Sequence, residues 1–161
     1  MKDCRTGCIR MMENLWNDIG EGRHMVLSSS RSDGLVSSRM MSVVALDGHL
    51  YFQTFSSSRK HLQLKENPHV ALCFGDTQIE GRVELVGRPM DHDAFCNAFK
   101  RLFPSAFERY TALESERLYK VTVTRVERWR YIDDRPFLEI ADLTRGKYSL
   151  KKQEHIGRAD A

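Results

Sequence analysis

The stretch Thr54-Phe55-Ser56-Ser57-Ser58-Arg59-Lys60 combines the end of a strand, a serine-rich turn and the start of a helix. A serine hydroxyl in this turn can accept a hydrogen bond from a free backbone N–H and cap the helix. Arg59 and Lys60 then lie at the positive end of the helix dipole, where acidic side chains are preferred. A bound phosphate would offset this mismatch. The alternative is that both cations extend into solvent, at a cost of at most about 1 kcal/mol.

The composition is that of an ordinary globular protein. The chain has 161 residues and a formal net charge of +3. This length suits one domain with a hydrophobic core, and the charge is too small to indicate nucleic-acid binding. The sequence has neither an apolar signal-peptide core nor an apolar run of membrane-spanning length. We therefore expect a single cytoplasmic domain over residues 1–161 that is not associated with membranes.

Four cysteines are present, at Cys4, Cys8, Cys73 and Cys96. The first two are one helical turn apart, but no second ligand pair of recognisable spacing accompanies them, so no metal site is predicted. Cys73 and Cys96 fall in apolar segments and are expected to be buried. A disulfide framework is not expected in a chain of this size without a secretion signal.

The pattern of apolar residues predicts a mainly β fold. The Asp-Gly pairs at 33–34 and 47–48 indicate hairpin turns, Gly81 indicates a bulge, and Asp91 is a candidate helix cap. Predicted helices cover residues 6–19, the segment from Arg59 to Asn67, and 91–107, and a basic tail covers about 145–161. Antiparallel strands joined in this order predict a split β-barrel of Greek-key type with peripheral helices. The predicted strands are 24–30, 35–46, 49–54, 69–75, 78–87, 117–131 and 137–141.

Arg39 interrupts the long second strand. Both faces of this strand carry apolar residues, which indicates that both faces are covered. A cation in such a strand needs a partner or a ligand, because an unpaired buried charge is costly.

The residues from Arg39 to Phe74 form a series of short motifs. They are Arg39-Met40-Met41, Asp47-Gly48, Tyr51-Phe52-Gln53-Thr54, Ser58-Arg59-Lys60 and Asn67-Pro68-His69-Val70-Ala71-Leu72-Cys73-Phe74. In order and spacing, these motifs resemble the pyridoxamine 5′-phosphate oxidase-like family of FMN-binding split-barrel proteins. The match also extends into the strand 81–86, and recognisable similarity covers about residues 24–88.

The resemblance implies a homodimer that holds FMN at the subunit interface. In relatives, the positions of Arg39 and Lys60 bind the flavin phosphate, assisted by those of Ser58 and Arg59. The backbone at Met40 and Met41 lies along the isoalloxazine, and the position of Thr54 lies near the flavin edge or the ribityl chain. The implied cofactor-binding set also includes Ser42 and Gln53. Trp129 and Tyr131 could reach the flavin across the interface, or they could serve only in packing.

Two departures separate the chain from the true oxidases of this family. Val44 stands where those enzymes carry a lysine, five residues after the matching arginine, and their tryptophan- and arginine-rich C-terminal segment is missing. The resemblance is therefore to smaller relatives grouped with general stress proteins and flavin reductases.

This branch implies an FMN-dependent oxidoreductase that uses NAD(P)H and acts on a small molecule. The sequence predicts no catalytic residue, and a histidine beside the turn, such as His61, is expected to be a satisfied or surface residue. The alternatives are a non-catalytic flavin- or haem-binding stress-related protein, a deazaflavin-dependent reductase, and a nucleic-acid-binding barrel that uses the basic tail. The choice between FMN and FAD stays open.

Overall fold

A computed structural model describes residues 4–154 of the chain. Within these residues the chain forms eight strands and four α-helices, together with a 3-10 turn at Pro89–Asp91 and a π-helical turn at Phe107–Thr111. The helices are α1 (Cys4–Ile19), α2 (Arg59–Glu66), α3 (Asp93–Leu102) and α4 (Pro104–Ala106). The strands are β1 (Gly22–Ser30), β2 (Val36–Leu46), β3 (His49–Phe55), β4 (His69–Phe74), β5 (Thr77–Gly87), β6 (Glu116–Ile132), β7 (Arg135–Asp142) and β8 (Lys147–Lys152).

The strands form one antiparallel sheet that closes on itself. Their order is β3-β2-β1-β4-β5-β6-β7-β8, and an additional pairing of β3 with β6 closes the first six strands into a barrel. The long strand β6 runs beyond the barrel and carries β7 and then β8 on its extension. This architecture confirms the predicted split β-barrel with peripheral helices.

Gly81 lies at an irregularity in the pairing of β5 with β6. The register of β5 against β6 shifts between Glu80 and Gly81, as the predicted bulge requires. A Cβ atom at Gly81 would lie 2.6 Å from Val121 Cγ1. Glycine therefore allows the two strands to approach at the bend.

Two hydrophobic clusters hold the elements together. The larger fills the barrel and includes Leu27, Phe52 and Leu72, with Met11 and Leu15 of α1 packed against it. The smaller joins α3 to the outer surface of the barrel through residues Val44, Phe95, Phe99 and Leu118. Because Phe95 and Phe99 share this second cluster with Val44, α3 is fixed against the outer side of β2.

Some expectations from the sequence are wrong. Asp91 does not cap a helix, because Pro89 starts a separate 3-10 turn and α3 begins only at Asp93. Cys73 is exposed rather than buried, since burial alternates along β4 and this side chain points outward. Cys96 is half-buried and donates a hydrogen bond to the carbonyl of Pro89 at 3.1 Å.

Part of the basic tail is structured. Lys147–Lys152 forms β8, and Tyr148 donates a hydrogen bond to Glu139 Oε1 at 2.8 Å. Tyr148 also packs against α1, where a Cβ atom on Gly7 would lie 2.4 Å from its ring. Residues 155–161 of the predicted tail lie outside the described residues.

No helix among residues 4–154 is both long and apolar enough to cross a membrane.

Candidate functional site

The turn between β3 and α2 has the predicted capping geometry. Ser58 is extended, with φ −71° and ψ 148°, and its hydroxyl accepts a hydrogen bond from the backbone N–H of His61 at 3.1 Å. The Thr54 and Ser58 hydroxyls lie 2.9 Å apart and share a second hydrogen bond. The cap therefore also ties the start of α2 to the end of β3.

The first turn of α2 carries two cations and no acidic residue. Arg59 is exposed and Lys60 is half-buried. Within residues 4–154 neither forms an ion pair. The Lys60 ammonium lies 5.7 Å from the centroid of the Phe55 ring. Burial and the nearby charge of Arg39 lower the pKa of Lys60, although Glu116 acts in the opposite direction.

Arg39 reaches the same region from β2. Its guanidinium donates hydrogen bonds to Ser29 Oγ at 2.7 Å, Gln63 Oε1 at 3.0 Å and the Leu27 carbonyl at 3.4 Å. All three acceptors are neutral, so they orient the guanidinium without compensating its charge. Burial and the charge of Arg59 lower the pKa of Arg39. Arg39, Arg59 and Lys60 therefore form a group of mutually repelling cations.

Gln63 holds Arg39 in this orientation and was not predicted. It is buried on α2, where its Oε1 atom also accepts a hydrogen bond from Ser29 Oγ at 2.7 Å. Its Nε2 atom donates to Ser37 Oγ at 3.1 Å. In sequence, the only signal was a polar residue on the inner side of a short helix.

A cleft of about 210 Å³ opens beside these cations. Six of the nine predicted cofactor-binding residues line it, and the other three, Arg39, Ser58 and Arg59, belong to the cation group and the capped turn. The residues that line the cleft are Met40, Met41, Ser42, Gln53, Thr54, Phe55, Lys60, Phe99, Ala106, Tyr110 and Glu116.

The cleft is closed on one side by the helical segment after β5, which the sequence did not place there. Phe99, Ala106 and Tyr110 supply its lining. Thr111, at the end of the π-helical turn, is fully buried and donates a hydrogen bond to Gln53 Oε1 at 3.0 Å. Single π-helical turns occur frequently at functional sites, and this one fixes the side-chain orientation of Gln53.

Glu116 also lines the cleft and was not predicted as a site residue. Only 2% of its surface is exposed. Burial raises the pKa of its carboxyl to about 7, although Lys60 and Arg117 act in the opposite direction. In sequence it resembles any acidic residue at the start of a strand.

Trp129 and Tyr131 do not line this cleft. Tyr131 is 65% exposed, and the two ring centroids are 6.4 Å apart. Trp129 instead borders a surface depression together with Cys73 and Asp76. Within one chain, the structure therefore does not bring these aromatic residues to the other predicted site residues.

His61 has a structural position. It is buried, and its Nδ1 atom lies 2.6 Å from the Tyr119 hydroxyl, with which it shares a hydrogen bond. Burial lowers its pKa and favours the neutral ring. Among residues 4–154, no cluster of three histidine, cysteine or acidic side chains could hold a metal ion.

A closed antiparallel barrel with a cation-bordered cleft defines the chain as a split-barrel protein. Residues 15–130 match the family described as pyridoxamine 5′-phosphate oxidase. The chain belongs to this family, which confirms the resemblance found in the sequence. No curated protein sequence matches the chain.

Several solved structures share the fold. A pyridoxamine 5′-phosphate oxidase-related, FMN-binding protein from Nostoc punctiforme is 15% identical, with a TM-score of 0.58 over 92% of this chain and 95% of the other. General stress protein 26 from Bacillus anthracis is 24% identical, with a TM-score of 0.56 over 80% and 97%. The haem storage protein HutZ from Vibrio cholerae is 13% identical, with a TM-score of 0.57 over 69% and 88%. At these identities the likeness shows the fold alone.

Proposed function

We propose that this protein is an FMN-binding oxidoreductase. Arg39, Ser58, Arg59 and Lys60 would hold the flavin phosphate, and Met40–Ser42, Gln53 and Thr54 would line the rest of the flavin site. The observation that carries the proposal is a group of three cations that form no ion pair within residues 4–154 and lie beside a mainly apolar cleft. A phosphate dianion would relieve their repulsion and meet the capped N-terminus of α2.

The residues of the chain would bind and orient the cofactor, while the flavin would supply hydride transfer when bound. Charge-assisted hydrogen bonds from Arg39 and Lys60 would contribute on the order of 1.5–3 kcal/mol each. The apolar side chains of Met40, Phe99 and Ala106 would exclude water from the ring. NAD(P)H is the proposed electron donor, and the substrate is a small molecule.

The buried position of Val44 supports an activity different from that of the true oxidases. This side chain is fully buried in the cluster formed with α3. A lysine at this position would place an unpaired charge among Phe95 and Phe99, which is strongly unfavourable. The proposed activity therefore does not involve the contact between residue 44 and a substrate phosphate that is expected of a true oxidase.

A homodimer is the proposed functional unit. The outward side of β2 exposes two apolar side chains, Val36 (67%) and Met40 (63%), and Met40 also borders the cleft. A second copy covering this side would enclose the cleft, and Trp129 and Tyr131 of that copy could complete the flavin site. Exposed apolar residues next to a binding cleft are typical of an interaction surface.

A visible absorption spectrum of the purified protein, followed by titration with FMN, tests the cofactor. We expect flavin bands and saturable binding. A colourless protein that does not bind FMN would contradict the proposal. Preference for riboflavin over FMN would also contradict it, because riboflavin lacks the phosphate.

Further additions separate the alternatives. Reduction of the bound flavin by NADPH without oxygen would support an oxidoreductase, whereas bound flavin that NADH and NADPH leave oxidised would indicate a non-catalytic binder. A Soret band after haem addition would favour haem binding, although no histidine or cysteine among residues 4–154 lines the cleft. Tighter binding of the deazaflavin F420 than of FMN would favour a deazaflavin-dependent reductase.

A further inference from the structure

Glu116 lies at the point where the cleft meets the cations. It is the first residue of β6, directly opposite Phe55 of β3. Directly opposite residues in antiparallel strands point to the same side of the sheet. Phe55 also contacts the Lys60 ammonium, so Phe55, Lys60 and Glu116 meet in one corner of the cleft, which all three line.

The carboxyl of Glu116 has no protein partner in this corner. In the part of the chain from 4 to 154, no group donates a hydrogen bond to it and no cation forms an ion pair with it. Arg117, the neighbour best placed by sequence, instead donates two hydrogen bonds of 2.8 Å to the carbonyls of Glu114 and Glu116. Among residues 4–154 the Glu116 oxygens are not fully enclosed atoms without a partner, so they open onto the cleft that Glu116 lines. A ligand in the cleft could therefore supply the hydrogen-bond partner that the protein does not.

A bound phosphate would change the charge balance around this carboxyl. Lys60 favours the ionised form of Glu116. A phosphate dianion at the same lysine would neutralise that effect and add a negative charge of its own. Like charges at close range favour the protonated form of a carboxyl. Binding of a phosphate monoester should therefore be coupled to uptake of a proton.

We propose that Glu116 is a binding residue of the cleft that holds a proton when the phosphorylated cofactor is bound and donates a hydrogen bond to one of the cofactor's oxygen atoms. The inference rests on the proposed function, because it requires a phosphate at Lys60. It adds a carboxylic acid to a site otherwise proposed to bind the phosphate with cations, the Ser58 hydroxyl and the N-terminus of α2. A protonated Glu116 would favour ligands that carry an acceptor oxygen close to the phosphate.

The other charged or titratable groups near this corner determine the pH range in which Glu116 can be tested. They are Lys60 and Arg59 of α2, Arg39 of β2, Arg117 of β6 and Tyr110 of the π-helical turn, with His61 and Tyr119 behind them. The pKa of His61 is lowered, so its ring is neutral above pH 7, and the pKa of Tyr119 is raised to about 12. A phosphate monoester loses its second proton near pH 6, which strengthens binding as pH rises, and this change is nearly complete by about pH 7. A decline in FMN affinity between pH 7.5 and 8.5 could therefore arise from Glu116 or from Lys60, but not from the other groups.

The experiment compares FMN affinity of the full chain and of Glu116→Gln at pH 7.5 and 8.5. For coupling to one proton, the wild-type affinity should fall about five- to tenfold over this unit. Glu116→Gln mimics the protonated acid, so its affinity should change less than about twofold, and at pH 8.5 it should bind FMN more tightly than wild type. Glu114→Gln, an exposed neighbour, should keep the wild-type profile.

If FMN affinity depends on pH in the same way in wild type and Glu116→Gln, the inference is overturned. The pH dependence would then be assigned to Lys60, whose pKa is lowered. If Glu116→Gln does not fold, calorimetry of the wild type in two buffers of different ionisation enthalpy replaces it. At pH 8, uptake of more than about half a proton per FMN supports the inference, and no uptake overturns it. Absence of FMN binding at every pH would instead contradict the proposed function.

Discussion

The two ends of the cleft are built in different ways. The cation end consists of Arg39, Ser58, Arg59 and Lys60, with Gln63 behind them, and all of these residues lie within 25 positions of sequence. The helical end consists of Gln53 with Phe99, Ala106, Tyr110 and Thr111, and it joins segments 58 residues apart through one side-chain hydrogen bond. Short-range signals in a sequence can therefore indicate the first end, whereas the second depends on tertiary packing.

The two ends also differ in how well their groups are satisfied. The cation end holds three positive charges whose hydrogen-bond acceptors, where they have them, are neutral. At the helical end, the buried polar atoms of Thr111 and Gln53 bond to each other, and aromatic packing supplies the rest. Uncompensated charge is costly for a fold and useful for a ligand. The difference indicates that the first end is arranged for binding and the second for shape.

Removing a charge from the cation end should have the largest effect. Lys60→Met deletes an ammonium that forms no ion pair within residues 4–154 but keeps much of its side-chain volume. We expect FMN to bind about ten- to a hundredfold more weakly, because one charge-assisted contact is lost. The midpoint of urea unfolding should not fall, since the ammonium is partly buried and repelled by Arg39.

The matched control is Lys65→Met, an exposed lysine of the last turn of the same helix. Its FMN affinity should stay within about twofold of wild type, because no contact with the cleft is lost. Equal losses of affinity in the two variants would mean that Lys60 acts only through net charge, and the proposed contrast between the ends would fail.

Removing the residue that positions Arg39 should have a somewhat smaller effect. Gln63→Leu retains the apolar packing of α2 but leaves Ser29, Ser37 and Arg39 without their shared partner. We expect a loss of about 1–3 kcal/mol in the free energy of unfolding, because buried polar groups become unsatisfied. FMN affinity should fall by about tenfold or less as the guanidinium loses its orientation.

Urea titration and FMN titration of the same Gln63→Leu protein separate these effects. Gln78→Leu, at an exposed position of β5, is the control for the chemical change. Unchanged stability and affinity in Gln63→Leu would show that Arg39 does not depend on Gln63.

The sequence predicted most of the barrel and the cation end for one physical reason. Turn glycines, strand alternation and a serine cap are local, so Gly48 or Ser58 identifies its element without knowledge of the fold. The helical end could not be predicted in this way, because Thr111 resembles any polar residue until packing places it against Gln53. The strand β8 gives a second example, since residues that look like a basic tail in sequence pair with β7, and Tyr148 in this strand bonds to Glu139.

Stability as a function of pH tests the boundary between the two ends, where Glu116 lies. Its pKa in the folded protein is raised to about 7 from an ordinary value of 4.5. The folded state therefore holds this proton more tightly, and the stability it contributes is present below pH 4.5 and lost as pH rises through 7. Relative to Glu116→Gln, the wild type without cofactor should lose about 1 kcal/mol between pH 5 and 8, since the open cleft screens part of the charge.

Urea unfolding of both proteins at pH 5 and pH 8 measures this difference, and the contributions of other groups cancel in the comparison. An identical pH dependence of the two proteins would show that the carboxyl is well solvated in the cleft. That outcome would mean that the position of Glu116 does not destabilise its ionised form.

The smallest effect is expected at the helical end. Thr111→Val keeps the shape of the side chain and removes its hydrogen bond to Gln53. We expect a loss of about 0.5–1.5 kcal/mol in the free energy of unfolding, the usual contribution of one hydrogen bond. Affinity for FMN and for riboflavin should fall equally, and by about threefold at most, because Gln53 would lose its orientation while the phosphate contacts remain. A selective loss of FMN affinity would mean that the π-helical turn acts on the phosphate, and the separation of the cleft into two ends would then be wrong.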